Sequence, residues 1–204
     1  MPRNRLTREE SREQTRRRLL DAATLSVAKK GLAATSVEDI AAEAGYTRGA
    51  FYSNFKSKID LFVELLWRDH HNVKEDLWKL LDAPSGEDLK KQLTLFYAQR
   101  YRDHNNYVIW AEARLYAVRD VEFRQRINAM CLEKRDTIAC FIEQFCKRLD
   151  VQLPGPSADH ALAVLALMDG VLYFSIAMPY ELPEASAEAV LSNIFTRMFF
   201  GTSI

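Results

Sequence analysis

Residues 31–62 read GLAATSVEDIAAEAGYTRGAFYSNFKSKIDLF. The Ser36 hydroxyl is followed three residues later by Asp39, the pattern of a capping box, and Val37, Ile40, Ala41 and Ala44 then recur at helical spacing. Gly45 closes this short helix, since glycine takes a positive φ in the turn without strain. After Gly45-Tyr46-Thr47 a second short helix is expected from Arg48 to Phe55, with Phe51 and Phe55 one turn apart. Two short helices joined by a three-residue turn form a helix-turn-helix, whose members cross steeply over a small shared core. Ala41 and Ala44 permit the close approach, and Ile40, Phe51 and Phe55 fill the space beneath. That leaves Thr47, Arg48, Ser53 and Asn54 on the outer face of the second helix, a face shaped to enter a major groove. Its N-terminal end presents the Thr47 hydroxyl and free backbone N–H groups to a phosphate or a base edge. The same spacing also fits a helical hairpin inside an ordinary bundle.

Outward from this stretch the chain reads as helix almost throughout. Thr7 with Glu10, Ser57 with Asp60 and Ser85 with Asp88 repeat the capping-box pattern. The first helix carries Leu19, Leu20, Ala23, Val27 and Ala28 on one stripe and stops at Gly31. A long helix runs from Ser57 to about Leu81, and further helices are expected at about 86–103, 106–118, 121–149, 157–178 and 184–200. Breaks fall at Ala83-Pro84-Ser85-Gly86, Asn105-Asn106, Asp120, Pro154-Gly155-Pro156 and Pro179–Pro183. No strand alternation and no internal repeat is visible.

Composition agrees with a helical, independently folding chain. The 204 residues are 48% hydrophobic and 27% charged, with only 7 glycines and 6 prolines, too few for a hairpin-rich β architecture. Three cysteines, Cys131, Cys140 and Cys146, suit neither a disulfide framework nor a paired-cysteine zinc site, and all three are read as buried small hydrophobes in a reducing cytosol. The N-terminus lacks the apolar core of a signal peptide, which points to a cytoplasmic protein. Residues 161–178 (ALAVLALMDGVLYFSIAM) are apolar enough to suggest a membrane span, but Asp169 and Gly170 at the centre favour a buried bundle or dimer helix and no membrane. Net charge is zero overall, yet residues 1–60 carry +4 and the remainder −4. The excess comes from Arg3, Arg5, Arg8, Arg12, Arg16, Arg17 and Arg18, a basic face able to meet a polyanion. Nucleotide-binding and nucleophile motifs are absent, and His70, His71, His104 and His160 lack zinc-site spacing. No catalytic site, cofactor or metal is therefore expected.

The run from Gly31 to Phe62 resembles the DNA-binding domain of the TetR family of bacterial transcriptional regulators. The resemblance rests on Gly31, Thr35-Ser36, Ile40-Ala41, Ala44-Gly45, Thr47-Arg48-Gly49, Phe51-Tyr52, Phe55-Lys56-Ser57-Lys58 and Leu61-Phe62; Asp169-Gly170 is a weaker similarity. Ser53 and Asn54 depart from the aromatic and histidine frequent there. The resemblance implies an all-α fold, with a three-helix DNA-binding domain at 1–60 and a helical ligand-binding and dimerisation domain at 61–204. It also implies a repressor that binds a palindromic operator as a homodimer and is released by a small-molecule inducer. Ser36, Tyr46, Thr47, Arg48, Gly49, Tyr52, Asn54 and Lys58 look like the family's DNA contacts. Chemically, Arg48 suits guanine and Thr47 a thymine methyl or base edge, while Tyr52, Ser36, Lys58 and Gly49 suit phosphates. Arg3, Arg5 and Arg8 suit either a minor-groove arm or a free tail.

In the C-terminal part, aromatic and polar residues pair one turn apart: Trp67 with His71, Trp110 with Arg114, Asp169 with Tyr173. With Phe96, Phe141 and Phe174 they are the candidate wall of a mostly apolar ligand pocket, although ordinary core packing explains each pair equally well. Leu162, Leu165, Ala166, Val190, Ile194, Arg197 and Met198 recur at helical spacing on the last two helices, where two subunits would form a four-helix seam. The long helix from Ser57 would carry a ligand signal to the reader. The alternative function is a helical protein-interaction module without DNA binding.

Overall fold

The structure, a computed structural model, describes residues 7–84 and 86–200, and among these it shows helices and no strand. The helices are α1 (Arg8–Lys30), α2 (Val37–Glu43), α3 (Arg48–Tyr52), α4 (Lys58–Leu80), α5 (Gly86–Arg102), α6 (His104–Arg119), α7 (Val121–Arg148), α8 (Ser157–Ala177) and α9 (Glu184–Phe200). They group into two compact units. The first holds the described residues up to Asp69 together with Asn105–Ile127, and the second holds His70–His104 together with the described residues from Asn128 onward.

The first unit is built on local signals. Thr7 accepts the Glu10 N–H through its hydroxyl, and Glu10 returns a carboxylate to the Thr7 N–H at 2.7 Å, which starts α1. Gly31, at φ 79°, ends it by donating its N–H to the Val27 carbonyl at 2.8 Å. Leu19, Leu20, Ala23 and Val27 are buried along one stripe of α1. Beneath α2 and α3 lie Ile40, Phe51 and Phe55, with Phe51 fully buried and its ring 5.7 Å from that of Phe55. Gly45 turns the chain between them at φ 75°. Ser57 accepts the Asp60 N–H at 3.0 Å and so opens α4, whose Leu61, Phe62, Leu65 and Leu66 are buried.

Long-range contacts then fasten these parts together. Phe62 stacks on Phe123 of α7 with ring centres 6.0 Å apart, and Asp60 pairs with Arg126 at 2.7 Å. The indole of Trp110 donates to the Asp69 carboxylate at 2.7 Å. On α6, Glu112 accepts the N–H of Leu32, in the turn after α1, at 3.0 Å. That carboxylate lies 3.1 Å from where a Cβ on Gly31 would sit, so the turn is closed against α6.

The second unit buries Leu77, Leu89, Met130, Phe141, Phe145, Val164 and Leu191, with α9 packing on both α5 and α8. Arg148, in the last turn of α7, donates to the carbonyls of Leu81 and Ala83 and holds the exit from α4. His70 is buried, with Nε2 3.4 Å from the Glu133 carboxylate, which also receives Lys74 at 2.8 Å.

Several expectations change. The break expected at Asn105-Asn106 falls at Asp103, and both asparagines lie in the first turn of α6. The second short helix stops at Tyr52: the Ser53 N–H still makes the helical bond to the Gly49 carbonyl, but the Asn54 N–H folds back onto Phe51 in a tighter turn. Only Cys146 is buried; Cys131 and Cys140 are exposed, since they fall on the outer side of α7. The Ser85 cap and residues Arg3 and Arg5 lie outside the described residues.

Candidate nucleic-acid interface

The interface is the outer surface of α3 with the ends of α1, α2 and α4 around it. Thr47 is the N-cap of α3, its hydroxyl accepting the Ala50 N–H at 3.3 Å, and it is exposed with Arg48, Gly49 and Ser53. A Cβ at Gly49 would meet only the Thr47 hydroxyl at 3.7 Å, an ordinary contact, so the protein's own packing does not demand glycine there. Arg48 pairs with Glu38 of α2 at 2.9 Å, and its guanidinium carbon stands 5.4 Å from the centre of the Tyr52 ring. Tyr52 and, after it, Glu38 push the pKa of this guanidinium above its ordinary value. Tyr52 is half exposed, its ring set edge-on to Phe51, so it is both a lid on the core and a surface group.

The remaining expected contacts are more committed to the protein. Ser36 is the N-cap of α2: its hydroxyl accepts the Asp39 N–H at 3.0 Å and donates to the Asp39 carboxylate at 2.8 Å. Lys30, and then the Ser36 N–H and hydroxyl, hold that carboxyl far below the usual carboxylate range. Tyr46 is half-buried at the end of the turn, its N–H on the Ala41 carbonyl at 2.8 Å. Asn54 does not face outward as the spacing suggested. Its amide donates to the Ala50 carbonyl at 2.8 Å and its Oδ1 is buried, because the chain has left the helix by that point. Lys58 directs its ammonium to the carbonyls of Leu32 (2.7 Å), Thr35 (2.6 Å) and Ala33 (3.4 Å), tying the turn between α1 and α2 to the start of α4. Burial lowers its pKa below the ordinary lysine value.

Part of the expected basic face of α1, with Thr15, Glu38 and Glu64, which the sequence did not single out, completes this surface. Arg8, Arg12 and Thr15 of α1 line an open cleft with Ser53 and Asn54, which places two of the N-terminal arginines beside the end of α3. Arg16 pairs with Glu64 and stacks 4.5 Å over the Phe55 ring. Glu38 lies on the same face as Arg48. Its signal was available: an acid and a base at exposed first-turn positions of two successive helices, ten residues apart.

The candidate ligand residues divide between the units. Trp67, Trp110 and Arg114 belong to the first, Trp110 buried and Arg114 exposed with its guanidinium 5.9 Å from the Tyr107 ring. His71, Phe96, Phe141, Asp169, Tyr173 and Phe174 belong to the second. Phe141 is buried against Phe145, whereas Tyr173 and Phe174 are exposed, packed edge-to-face with centres 5.2 Å apart. Of the candidate dimer residues, Leu162 is 60% exposed, and Ala166, Val190, Ile194 and Arg197 are also exposed, with Leu165 half-buried. The side chain of Met198 lies outside the described residues. α8 is long and apolar enough to cross a membrane, and 28% of its apolar window is buried, so the buried-helix expectation holds for only one side of it.

Fold and surface together define an all-helical protein with an N-terminal helix-turn-helix reader. Residues 19–65 match the bacterial regulatory proteins of the tetR family. Over 189 residues the chain is 29% identical to the HTH-type transcriptional regulator TtgR of Pseudomonas putida, covering 86% of each. It is 36% identical over 89 residues to the uncharacterized HTH-type regulator YerO of Bacillus subtilis, a match spanning 40% of this chain and 29% of that relative's length. Among solved structures it is similar to the regulator FadR from Bacillus subtilis in complex with stearoyl-CoA, with a TM-score of 0.73 at 18% identity over 91% of this chain and 98% of that one. The N-terminal reader thus matches the TetR family of transcriptional regulators, and over most of its length the chain is similar to a regulator of that kind.

Proposed function

We propose that the protein is a transcriptional repressor that binds a roughly palindromic operator as a homodimer and is released by a small-molecule inducer. The observation that carries the reading is the α3 surface: Thr47, Arg48, Gly49 and Ser53 exposed above a reader core of Ile40, Phe51 and Phe55. Glycine at 49, where the protein itself would accept a side chain, keeps the helix N-terminus open to a phosphate backbone. Arg48 reads guanine and Thr47 a neighbouring base edge, while Ser36, Tyr46, Gly49 and Tyr52 set the register around them; Asn54 and Lys58, turned to backbone carbonyls, support the reader from beneath. A recognition helix this short touches few base pairs, so two half-sites are required to outcompete genomic DNA.

The second subunit covers the apolar face of α8 and α9, where Leu162, Val190 and Ile194 are exposed in a single chain. Residues 61–204 then serve for dimerisation and for a small-molecule inducer of largely apolar character, a role supported by the stearoyl-CoA bound to the FadR neighbour. Within the second unit Phe96, Phe141 and Asp169 are its candidate contacts, and α4 carries the signal to the reader. The setting is the cytoplasm.

The test is selection of a bound sequence from a random duplex library by the full chain, followed by footprinting and binding of Arg48→Ala. Loss of preference at one base pair per half-site, at about 1–3 kcal/mol, supports the reading. No retention on duplex DNA at low salt would leave a helical protein-interaction module instead.

A further inference from the structure

Of the two acids in the first turn of α2, Asp39 is consumed by the Ser36 cap and by Lys30, whereas Glu38 takes part in neither. Its carboxylate reaches across to the following helix and meets Arg48 Nη1 at 2.9 Å. A carboxylate on a surface that meets phosphates works against binding to any nucleic acid, so its place there calls for a compensating role. The geometry supplies one. Arginine loses much rotamer freedom when it docks on a base, and here one nitrogen of the guanidinium is held by Glu38 while its carbon stands 5.4 Å from the centre of the Tyr52 ring. The fork has five donors, of which Glu38 engages Nη1, and a bidentate pair to the O6 and N7 acceptors of guanine uses others.

We propose that Glu38 is a specificity-determining positioning residue of the DNA interface, whose carboxylate fixes the Arg48 guanidinium for guanine and repels phosphates whenever that pairing is not made. The proposal rests on α3 entering the major groove with Arg48 on a base. Glu38 thus trades general affinity for discrimination, which is how a like charge serves specificity. An acid can also accept a hydrogen bond from cytosine N4 directly, and the two roles separate in a double-mutant cycle.

The experiment uses the full-length protein and the duplex selected by the wild type, with all four base pairs placed at the position whose preference Arg48→Ala removes. Binding of the wild type, Glu38→Gln, Arg48→Ala and the double variant is followed by fluorescence anisotropy, with mixed-sequence duplex as the non-specific reference and thermal melts to confirm folding. Glu38→Gln should keep its melting temperature, lose about 5- to 10-fold of discrimination at that base pair, and bind mixed-sequence duplex more tightly. In the Arg48→Ala background the same change should leave discrimination where it was. Unaltered discrimination in Glu38→Gln, with Arg48→Ala still losing its preference, overturns the positioning role and leaves the groove reading intact. A shift of preference by Glu38→Gln in the Arg48→Ala background makes Glu38 a direct reader and overturns it too. If Arg48→Ala itself removes no preference at any position, the groove reading fails, and this proposal with it.

Discussion

Lys58 stands where a phosphate contact was expected, and replacing it separates two kinds of lysine. In Lys58→Met the aliphatic stem is retained and the ammonium is lost. The structure puts that ammonium on two close carbonyls, Leu32 at 2.7 Å and Thr35 at 2.6 Å, with Ala33 at 3.4 Å as a weaker third. Hydrogen bonds from a charged donor contribute about 1.5–3 kcal/mol each, and desolvation of the half-buried ammonium takes back part of that. A net loss of about 2–3 kcal/mol is therefore expected. In a chain of this size it lowers the melting temperature by roughly 5–10 °C. A lysine on phosphate behaves otherwise: its removal leaves stability nearly untouched and reduces the slope of log binding constant against log salt by about 0.9 per contact. Circular dichroism melts and salt titrations of operator binding, run well below the melting range, measure both quantities on one protein. An unchanged melting temperature with a slope reduced by about one per subunit would refute the structural role.

Three further outcomes follow from the geometry. Phe51→Ala removes the fully buried ring shared by α2 and α3 and should destabilise the reader by about 3–5 kcal/mol, seen in denaturant melts as lost cooperativity at the N-terminal unit. For His70, burial pushes the folded pKa below its ordinary value of 6.5 against the pull of Glu133, so the unfolded chain takes up the proton first. Stability should be full above pH 6.5 and fall as pH drops below it until the folded pKa is passed; His70→Gln should flatten that slope in urea titrations between about pH 7 and 5. Ile194→Glu places a charge on the proposed seam, and sedimentation should shift from twice the 23.5 kDa chain to a single chain, with operator binding lost. A wild-type protein that sediments at 23.5 kDa at micromolar concentration removes the dimer altogether.

What could be read from the chain was what neighbouring residues settle among themselves. The Thr7, Ser36 and Ser57 caps each need only an acid three residues on, and Gly31 and Gly45 supply the positive φ that ends α1 and α2. Ile40, Phe51 and Phe55 follow from helical spacing, and with them the exposure of Thr47 and Arg48. These are local energies, and the family model's match, residues 19–65, falls largely on the same segment.

Tertiary structure alone decided which partners meet across long stretches of chain. Nothing near Lys58 in sequence says that its ammonium will close the turn 23 to 26 residues earlier, and nothing near Glu112 points to the Leu32 N–H 80 residues away. Asn54 turned inward because α3 ended early, and Cys131 and Cys140 faced outward because the packing of α7 chose its other side. A helix's periodicity shows that it has an apolar face. Which polar group at the edge of that face finds a distant backbone atom depends on the rotation and axial shift of packed helices, and these are set by the whole core at once.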